Sequence, residues 1–538
     1  MKASAHLLFF VGAGLFALAY SAAYNLLQWD ELALSPAAVI MAAAFALLVL
    51  YGLCFLLGKS AGRQPERGTE AASPMSLRLW AGAFLALAAV YSLCLLAYFP
   101  GPAVNDSLMI YRNGMMMANA SPVLYCVFVS VFAKLGQWLG SAQLGVAACN
   151  IFQMLMVCGM SAWVICWVFA KRLHRWVKAA VGLYYALNPL LIMYSFTMIK
   201  DTLFSLAVVL LFLVSYDLIM ENRGTLQRWL VLAADVLLLI SFRNGVIYMM
   251  AVYIVVLAFT VKDKGLVKRA AAIVLVCVAG VALLCAALEK RFDIEYYSKE
   301  MLAIPIQQLS AVVASDGELT PEQQEIVAGM MSLEDIREKY VPYHVDAIKW
   351  DLAFSNSFVN ENTGDILKVW LEAMPENREI YTKAWLWQTF WFWAPLQQGE
   401  VKIFETVVDL DPHWHAQAGV VDAPLLPEPL GEAVRDFCSL GCFFLREGVL
   451  FWLMLLCMLE LYALRGDGRI FAVYAICLFQ WLVLMVSTPV FHSIRYVLSY
   501  AYGLPVFFAL LFAAGPGPAQ GKAPAALPAE NEQKRQGE

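Results

Sequence analysis

The chain has 538 residues, of which 61% are hydrophobic and 15% charged, and its formal net charge is −5. Soluble domains carry about 25% charged residues, so this composition excludes an ordinary soluble protein, and the net negative charge gives no electrostatic case for nucleic-acid binding. Apolar runs of roughly twenty residues recur along nearly the whole chain, which is typical of an all-α integral membrane protein with many spans.

Hydropathy and length predict about twelve transmembrane helices. They are placed at 6–27, 37–57, 79–99, 142–170, 179–197, 199–220, 226–242, 244–261, 270–289, 437–463, 470–488 and 494–514. The first run is longer than the apolar core of a signal peptide and lacks a clear small-residue cleavage site, so it is interpreted as a retained span. The twelve cysteines stand mostly singly within apolar runs, and their spacing suggests neither a zinc site nor a disulfide framework.

A further apolar run, 121–140, is short and contains Lys134 and Gln137. Charge decides how it is placed. The loops 58–78, 171–178, 262–269 and 465–469 and the tail after 516 carry Lys and Arg, and the positive-inside rule puts such segments in the cytoplasm. If 121–140 crossed the membrane, loop 171–178 would fall outside, so we expect 121–140 to lie at the outer surface or to be re-entrant.

With that topology the protein is a multi-pass protein of the cell membrane, and both termini are cytoplasmic. The segments expected to face outward are 99–141, the turn at 198–201, the break at Arg243, 290–436 and 489–495. The predicted domains are an N-terminal transmembrane module (1–289), an extracytoplasmic segment (290–436), C-terminal transmembrane helices (437–514) and a Pro/Ala/Gln-rich, disordered cytoplasmic tail (515–538).

The extracytoplasmic segment is predicted to be mostly helical. Helices are expected from Pro321 to Met331, with Thr320 as N-cap, and from Ser332 to Tyr340. The aromatic stretch 385–393 favours a helix lying in the headgroup layer, and an aromatic core cluster is the alternative.

The loop after the third span carries the most informative pattern. Pro100 and Gly101 end the apolar run, and Asp106 and Arg112 follow within a few residues. Ionisable residues where a membrane helix ends are functional candidates, and an ordinary exposed loop is the alternative. Asp106 is the candidate general base, since sugar transfer from a phosphate leaving group needs a carboxylate to accept the proton of the acceptor hydroxyl.

The outer boundary has few cations, namely Arg112, Lys200, Arg243 and Arg495. Isolated cations at one depth suit the phosphate of a lipid-linked donor whose chain lies between helices. The alternative is that each anchors a helix end in the headgroups. Asp201 is a second carboxylate that would orient an acceptor or hold a divalent cation, Mg²⁺ or Mn²⁺; its alternatives are pairing with Lys200 or capping the next helix.

Two weaker patterns complete the candidate set. The patch from Ile304 to Gln308 follows a predicted span and would line the site, or else belongs to an ordinary outer helix. His413 and His415 form a short metal-like pair, but no further ligands are evident. The histidine pair is therefore not assigned as a metal site, and a divalent cation, Mg²⁺ or Mn²⁺, stays open as the cofactor.

These motifs, in this order, resemble those of the GT-C superfamily of polytopic glycosyltransferases, and in particular a bacterial branch of it. The resemblance spans residues 80–510. It rests on Pro100-Gly101 with Asp106, Ser121-Pro122-Val123-Leu124-Tyr125, Lys200-Asp201-Thr202-Leu203-Phe204, Arg243-Asn244-Gly245, Ile304-Pro305-Ile306-Gln307-Gln308 and Arg495-Tyr496.

The resemblance implies a GT-C-like fold with surface-lying outer helices, a polyprenyl-phosphate sugar donor, and transfer to a cell-envelope glycan or lipid on the outer face. Asp106 would be the catalytic carboxylate. The substrate-binding residues would be Arg112, Lys200, Asp201, Arg243, Asn244, Gln307, Arg495 and Tyr496.

The chain also departs from the family pattern. Ala120-Ser121 stands where many relatives have a His before the Pro, and Met109-Ile110 where a Gln often follows the Asp motif. Two other functions therefore remain open: a transporter or flippase for a lipid-linked or anionic solute, and a non-catalytic envelope assembly factor. No inverted repeat is visible, and the polar residues collect at one face, which argues against a transporter.

Overall fold

The computed structural model describes residues 2–62, 76–119, 121–221, 224–294, 298–399, 418–487 and 492–513. Within these ranges the secondary structure is helical, and the extended pairing is a single isolated bridge between Ala103 and Met198. The predicted tail at 515–538 and the His413–His415 pair lie outside the described residues.

The helices before the polar segment are α1 (Ala3–Trp29), α2 (Pro36–Gly62), α3 (Leu77–Ala97), α4 (Asn105–Asn113), α5 (Val123–Trp138), α6 (Ala142–Phe169), α7 (Arg175–Leu187), α8 (Pro189–Ser195), α9 (Lys200–Ile219), α10 (Leu226–Phe242), α11 (Val246–Thr260) and α12 (Lys264–Phe292).

The polar segment forms α13 (Ala303–Ala314), α14 (Pro321–Met330), α15 (Leu333–Lys339), α16 (Asp346–Lys349), α17 (Asn356–Glu361), α18 (Thr363–Ala373), α19 (Arg378–Gln388), α20 (Phe390–Trp393) and α21 (Leu430–Ser439). The last helices are α22 (Glu447–Arg465), α23 (Arg469–Ser487) and α24 (Leu498–Phe512), and short 3₁₀ turns lie at Gly114–Asn119, Ser298–Glu300, Leu440–Phe443 and Ile494–Val497.

Nine helices in the described part of the chain are long and apolar enough to cross a bilayer, and α7 with α8, bent by 51°, would make a tenth. These ten correspond to ten of the twelve predicted spans. The other two, α10 and α11, have only 17 and 15 residues and are separated at Arg243–Gly245. The exact number of crossings therefore stays a prediction, whereas the multi-pass membrane architecture is established.

The core of the bundle is built around α9. Every residue from Asp201 to Ile219 is buried, and the helix shows no polar face. A helix that is apolar on all sides is covered on all sides, and α9 contacts α6, α10, α23 and α24. The helix α5, predicted to lie at the surface or to be re-entrant, has 16 residues and is shorter than a span.

Residues 298–388 form a separate helical unit, called here the helical unit, with its own apolar core around Leu302, Ile306 and Ile336. Its local predictions are confirmed: the Thr320 hydroxyl accepts from the Gln323 backbone N–H at the start of α14, and α15 follows Ser332. The extracytoplasmic segment predicted for 290–436 is thus not uniform, since α20 and α21 pack on the membrane bundle.

Two sequence predictions about this region are wrong. The stretch 385–393 was predicted to lie in the headgroup layer, but its last four residues, Phe390–Trp393, are all buried in the bundle core. For these residues the alternative interpretation, an aromatic core cluster, is the one that agrees with the structure. The span predicted to begin at 437 begins at Glu447, since a separate helix ends at Ser439 and a 3₁₀ turn intervenes. Apolar content alone did not distinguish a helix packed on the bundle from a spanning one.

Candidate functional site

Two loops from distant parts of the sequence meet at one end of the bundle. The Met198 backbone N–H donates to the Pro102 carbonyl at 2.8 Å, and the Val104 N–H donates to the Met198 carbonyl at 3.4 Å. This short parallel pairing joins the loop after α3 to the turn before α9. Asp106 and Lys200, which follow these loops, are thereby brought to the same place.

Two buried amide side chains of α6 form hydrogen bonds to both loops. Asn150 Nδ2 donates to the carbonyls of Pro100 and Pro102 at 3.0 and 3.3 Å. Gln153 Nε2 donates to three carbonyls within the turn 194–197 at 2.6–3.2 Å. Both amides are fully buried, so these bonds satisfy backbone carbonyls that have no helix partner. The positions of the loops are therefore fixed by the bundle.

Gly101 is required by this arrangement. Its φ of +96° is unfavourable for a residue with a side chain, and a Cβ there would lie 2.5 Å from Asn150 Nδ2 and 2.8 Å from the Phe196 carbonyl oxygen. The loop can approach α6 and the second loop this closely only with glycine.

Asp106 lies in the first turn of α4 and faces open space. Its side chain keeps 53% of its exposure, and the carboxylate lies 3.9 Å from Arg495 Nη1. Desolvation by the surrounding protein favours the neutral acid, but the charges of Lys200, Arg495 and Lys349 outweigh it and hold the pKa of Asp106 below its ordinary value. The carboxylate is therefore ionised and accessible.

Lys200 differs from the neighbouring cations in having no fixed partner. It is half-buried at the start of α9. Its ammonium makes no hydrogen bond or ion pair among the described residues, although its charge acts on Asp106. A partly desolvated ammonium whose donors are unused is suited to bind an anion.

A second ion pair lies beside the first. Asp201, which is 1% exposed, accepts from Arg243 Nη1 at 3.1 Å, and its other carboxylate oxygen has no hydrogen-bond partner among the described residues. Asp201 therefore pairs with Arg243 and not with Lys200. The guanidinium carbon of Arg243 also lies 5.1 and 5.4 Å from the ring centres of Phe204 and Tyr496.

Tyr496 connects the two pairs. Its hydroxyl accepts from Arg495 Nη2 at 2.9 Å, and the Arg495 guanidinium lies 4.8 Å from its ring centre. Both arginines thus contact one aromatic side chain, which fixes their separation. Six predicted site residues lie together here: Asp106, Lys200, Asp201, Arg243, Arg495 and Tyr496.

The other three predicted residues lie elsewhere. Arg112 is exposed in the last turn of α4. Asn244 is exposed and lines a cavity next to Arg243. Gln307 is buried in the helical unit, where its Nε2 donates to the carbonyls of Val341 and Pro342, both at 2.8 Å. Gln307 therefore holds the helical unit together.

The cavity beside Arg243 has a volume of about 270 Å³. Ser241, Arg243, Asn244 and Glu289 supply its polar lining, and Val281 and Cys285 of α12 are among its apolar residues. It is amphipathic, and it adjoins the arginine that pairs with Asp201.

Lys349 was missed by the sequence reasoning. It belongs to the helical unit, is 2% exposed, and pairs with Glu300 at 2.9 Å and Asp346 at 3.0 Å, yet its charge also acts on Asp106. The helical unit therefore contributes to the field at the Asp106 site. Nothing in the local spacing of Lys349 could have shown this.

Glu447 was also missed. It is 1% exposed at the start of α22, where its carboxylate lies 4.0 Å from Arg446 Nη1 and interacts with the Ser493 backbone, two residues before Arg495. Asn150, Gln153 and Glu447 share the one signal that was available, a polar residue inside or directly at the edge of an apolar run.

Among the described residues, no group of three or more His, Cys, Asp or Glu side chains is arranged to hold a metal ion. The arrangement instead offers an ionised, accessible carboxylate, a cation with unused donors, and an arginine pair around one tyrosine. It can accept a proton and neutralise an anion at neighbouring points.

Comparison with known proteins gives one match. No curated protein and no solved structure matches the chain. The model of a family described as "Family of unknown function (DUF6020)" matches residues 109–413, which is more than half of the chain. The match contains Lys200, Asp201 and Arg243 and begins just after Asp106. The chain therefore belongs to the DUF6020 family.

Proposed function

We propose that the protein is an integral membrane glycosyltransferase that transfers a sugar from a polyprenyl-phosphate donor to a cell-envelope glycan or lipid at the outer face. The observation that carries this proposal is the open carboxylate of Asp106 within the field of Lys200, Arg495 and Lys349. Asp106 is open to solvent and lies in the field of these cations, and a general base needs both access to the acceptor and an ionised form.

The Asp106 carboxylate and the nearby cations have different roles in this reaction. The acceptor hydroxyl gives its proton to the Asp106 carboxylate while its oxygen attacks the anomeric carbon of the donor sugar. The bond from that carbon to the phosphate oxygen breaks, and the electron pair leaves with the polyprenyl phosphate. Lys200 and Arg495 stabilise the charge that develops on the departing phosphate.

The lowered pKa of Asp106 agrees with this assignment. The base has to be ionised before each turnover, and the three cations keep it so at neutral and mildly acidic pH. Activity that depends on the carboxylate is therefore lost only when the pH falls below the ordinary range of an aspartate.

The cavity beside Arg243 suggests how a lipid-linked donor reaches the site. Its polar side is formed by Ser241, Arg243, Asn244 and Glu289, and its apolar side includes Val281 and Cys285 of α12. The phosphate would have to lie on the Arg243 side, away from the Glu289 carboxylate. We place the first isoprene units against α12 and the phosphate toward Arg243. The second oxygen of Asp201 has no partner among the described residues, but it is buried, so it would orient a hydroxyl of the sugar or of the acceptor only after this end of α9 has opened.

The test is the Asp106→Asn variant in lipid nanodiscs, supplied with polyprenyl-phosphate hexoses and an envelope lipid extract. Transfer should fall by about 10²–10⁴-fold, the usual contribution of a general base. Asp365→Asn is the matched control, since Asp365 is exposed on α18 of the helical unit and its loss should leave transfer unchanged.

Normal transfer by correctly folded Asp106→Asn would remove the basis of the proposal. Movement of labelled lipid across the bilayer without sugar transfer, equal in both variants, would favour a transporter.

A further inference from the structure

A long groove lies between the first two helices and α22, and none of the six residues that meet around Asp106 lines it. Two cavities, of about 480 and 680 Å³, follow one another along it and share the lining residues Phe16, Phe45 and Pro395. The two cavities therefore form one groove. We propose that this groove binds the chain of a long isoprenoid lipid with an uncharged head group, of the polyprenol class.

The length of the groove limits what can fill it. Along α1 its lining extends from Leu8 to Tyr24, which is 16 positions further along the helix. A helix rises 1.5 Å per residue, so the groove is about 24 Å long. The hydrocarbon of one leaflet is only about 15 Å deep, half of the bilayer core. The groove is thus longer than a chain confined to one leaflet, which favours an isoprenoid chain over the acyl chains of phospholipids.

The mouth of the groove faces the lipid. Leu15 on α1 and Phe45 on α2 both line it, and they are 56% and 60% exposed. Both helices are long and apolar enough to cross the bilayer, so side chains exposed here face hydrocarbon. A lipid chain can therefore enter sideways from the membrane, without passing through water.

The wall opposite the mouth is formed in advance by fixed side chains. Trp452 of α22 lines the groove, and its Nε1 donates to the Trp393 carbonyl at 2.9 Å. Its ring also packs edge-on against Phe16, with the ring centres 5.3 Å apart. Further along, a Cβ on Gly12 would lie 2.7 Å from Leu459 Cδ1, so α1 approaches α22 closely there. The groove has the apolar, preformed lining that is typical of ligand sites.

One end of the groove is polar. Tyr20, Tyr24 and Ser35 line it there, and the two tyrosine hydroxyls make no hydrogen bond within the described part of the chain. The adjoining loop is tied to the helical unit, because Asp30 pairs with Lys383 at 2.5 Å. The polar end therefore lies on the side of the bundle that carries the helical unit, which is predicted to face outward.

The charge of the lining indicates what kind of head group fits. Among the described residues that line either cavity, none is charged. The nearest cation along this end, Lys383, already has its charge balanced by Asp30. A phosphate would find no cation to pair with, whereas a hydroxyl head group can exchange hydrogen bonds with Tyr20 and Tyr24. The groove therefore differs in chemistry from the cavity beside Arg243.

The experiment uses the full chain in nanodiscs of phosphatidylethanolamine and phosphatidylglycerol. The probe is a long-chain polyprenol with a diazirine at the end of its chain remote from the hydroxyl. After irradiation, peptide mass spectrometry should place the crosslinks near Leu8, Leu50 and Leu459, which line the apolar end of the groove. Crosslinks spread evenly over the other lipid-facing helices, such as α12, would overturn the proposal.

Competition tests the class of lipid. Unlabelled polyprenol should abolish the crosslinks, and the same amount of phosphatidylethanolamine should leave them unchanged. Equal displacement by phosphatidylethanolamine would identify the occupant as an ordinary bilayer lipid and overturn the proposal. Stronger displacement by polyprenyl phosphate than by polyprenol would overturn the assignment of an uncharged head group. These measurements use the wild-type protein, so they do not depend on the folding of a variant.

A filled groove supplies the matched variants. Ala46 is half-buried and lines the groove on α2, so Ala46→Trp places an indole within it and should abolish the crosslinks. Ala44 is exposed on the same helix and lines neither cavity, so Ala44→Trp should be labelled like the wild-type protein. Equal labelling of both variants, with equal melting temperatures, would show that the chain does not lie in the groove.

The inference does not rest on sugar transfer. Specific labelling together with normal transfer in Asp106→Asn would retain the lipid site and reject the general base. Absence of specific labelling together with a loss of transfer in Asp106→Asn would reject the lipid site and retain the enzyme.

Discussion

Each end of α9 carries a buried carboxylate near cations, but the charged groups are fully paired at one end and only partly paired at the other. At its C-terminal end Asp217, 2% exposed, accepts from Lys171 Nζ at 2.9 Å and from Arg228 Nε at 2.8 Å. At its N-terminal end Asp201 accepts from Arg243 alone, and Lys200 makes no ion pair among the described residues. Both carboxylates are buried in one helix, so burial does not explain the difference.

The difference shows what each cluster is built to do. Asp217 uses both carboxylate oxygens, and its two partners come from the loop after α6 and from α10. Such a closed network fixes the relative positions of helices. The Asp106 end leaves donors and acceptors unused in a partly desolvated space, which is where an anionic ligand gains most.

The largest effect on stability is expected at the closed cluster. Asp217→Asn takes a carboxylate away from Lys171 and Arg228, of which Lys171 keeps its pair with Glu221. Breaking a buried pair costs up to about 3–5 kcal/mol. Thermal unfolding in nanodiscs should show a large drop in melting temperature, and Asp365→Asn, made at an exposed position, should show none. An unchanged melting temperature in Asp217→Asn would mean that this network does not hold the helices together.

The next effect concerns activity at the open cluster. Lys200→Met keeps the length of the side chain and removes an ammonium that has no partner to lose. Transfer should fall by about 10²–10³-fold, the cost of one donor to a developing oxyanion, while the melting temperature stays constant. If the variant instead has a lower melting temperature and normal transfer, Lys200 stabilises the fold, and the two ends of α9 do not differ in function.

A smaller effect is expected where the loops are positioned. Gly101→Ala puts a Cβ 2.5 Å from Asn150 Nδ2 at a φ of +96°, and such strain costs about 1–3 kcal/mol. We expect reduced stability together with reduced transfer, since the loop carrying Asp106 has to move.

Gly82→Ala is the matched control for this change. Gly82 lies within α3, and a Cβ there would meet nothing within 4 Å. Its melting temperature should equal or exceed that of the wild-type protein. An equal loss of stability in both variants would show that the effect of Gly101→Ala does not come from the close packing of the loop against α6.

The sequence was sufficient for features that depend on residue type along a single segment. Long apolar runs identified the bilayer helices, and Thr320 and Ser332 identified helix starts in the polar segment. The cations at helix ends also identified most of the residues that meet around Asp106, because few charged residues occur at that depth. These signals are local, so one segment is enough to show them.

Features that depend on contacts between distant segments were missed. Lys349 acts on Asp106 across 243 positions of the chain, and Gln153 holds the turn 194–197 from another helix. The aromatic stretch that ends at Trp393 was misplaced, because the same rings suit a headgroup layer and a bundle core. Composition does not determine which partner a segment finds.

The last effect depends on pH and concerns Lys299, which lies in the helical unit and is 2% exposed. Its Nζ donates to the Lys349 carbonyl at 2.9 Å and lies 3.7 Å from the Trp350 ring centre, and burial lowers its pKa to about 8. Below pH 8 both the folded and the unfolded chain carry the charge, so its full burial cost is present. Between pH 8 and the ordinary lysine range the unfolded chain binds more protons, and stability rises by about 1.4 kcal/mol per pH unit.

The melting temperature of Lys299→Met minus that of the wild-type protein should therefore fall as the pH is raised from 7.5 to 10. Lys368→Met, made at an exposed lysine, should give a constant difference. A constant difference for Lys299→Met as well would place its charge in contact with solvent, and the helical unit would then contain only one buried cation, Lys349, near the Asp106 site.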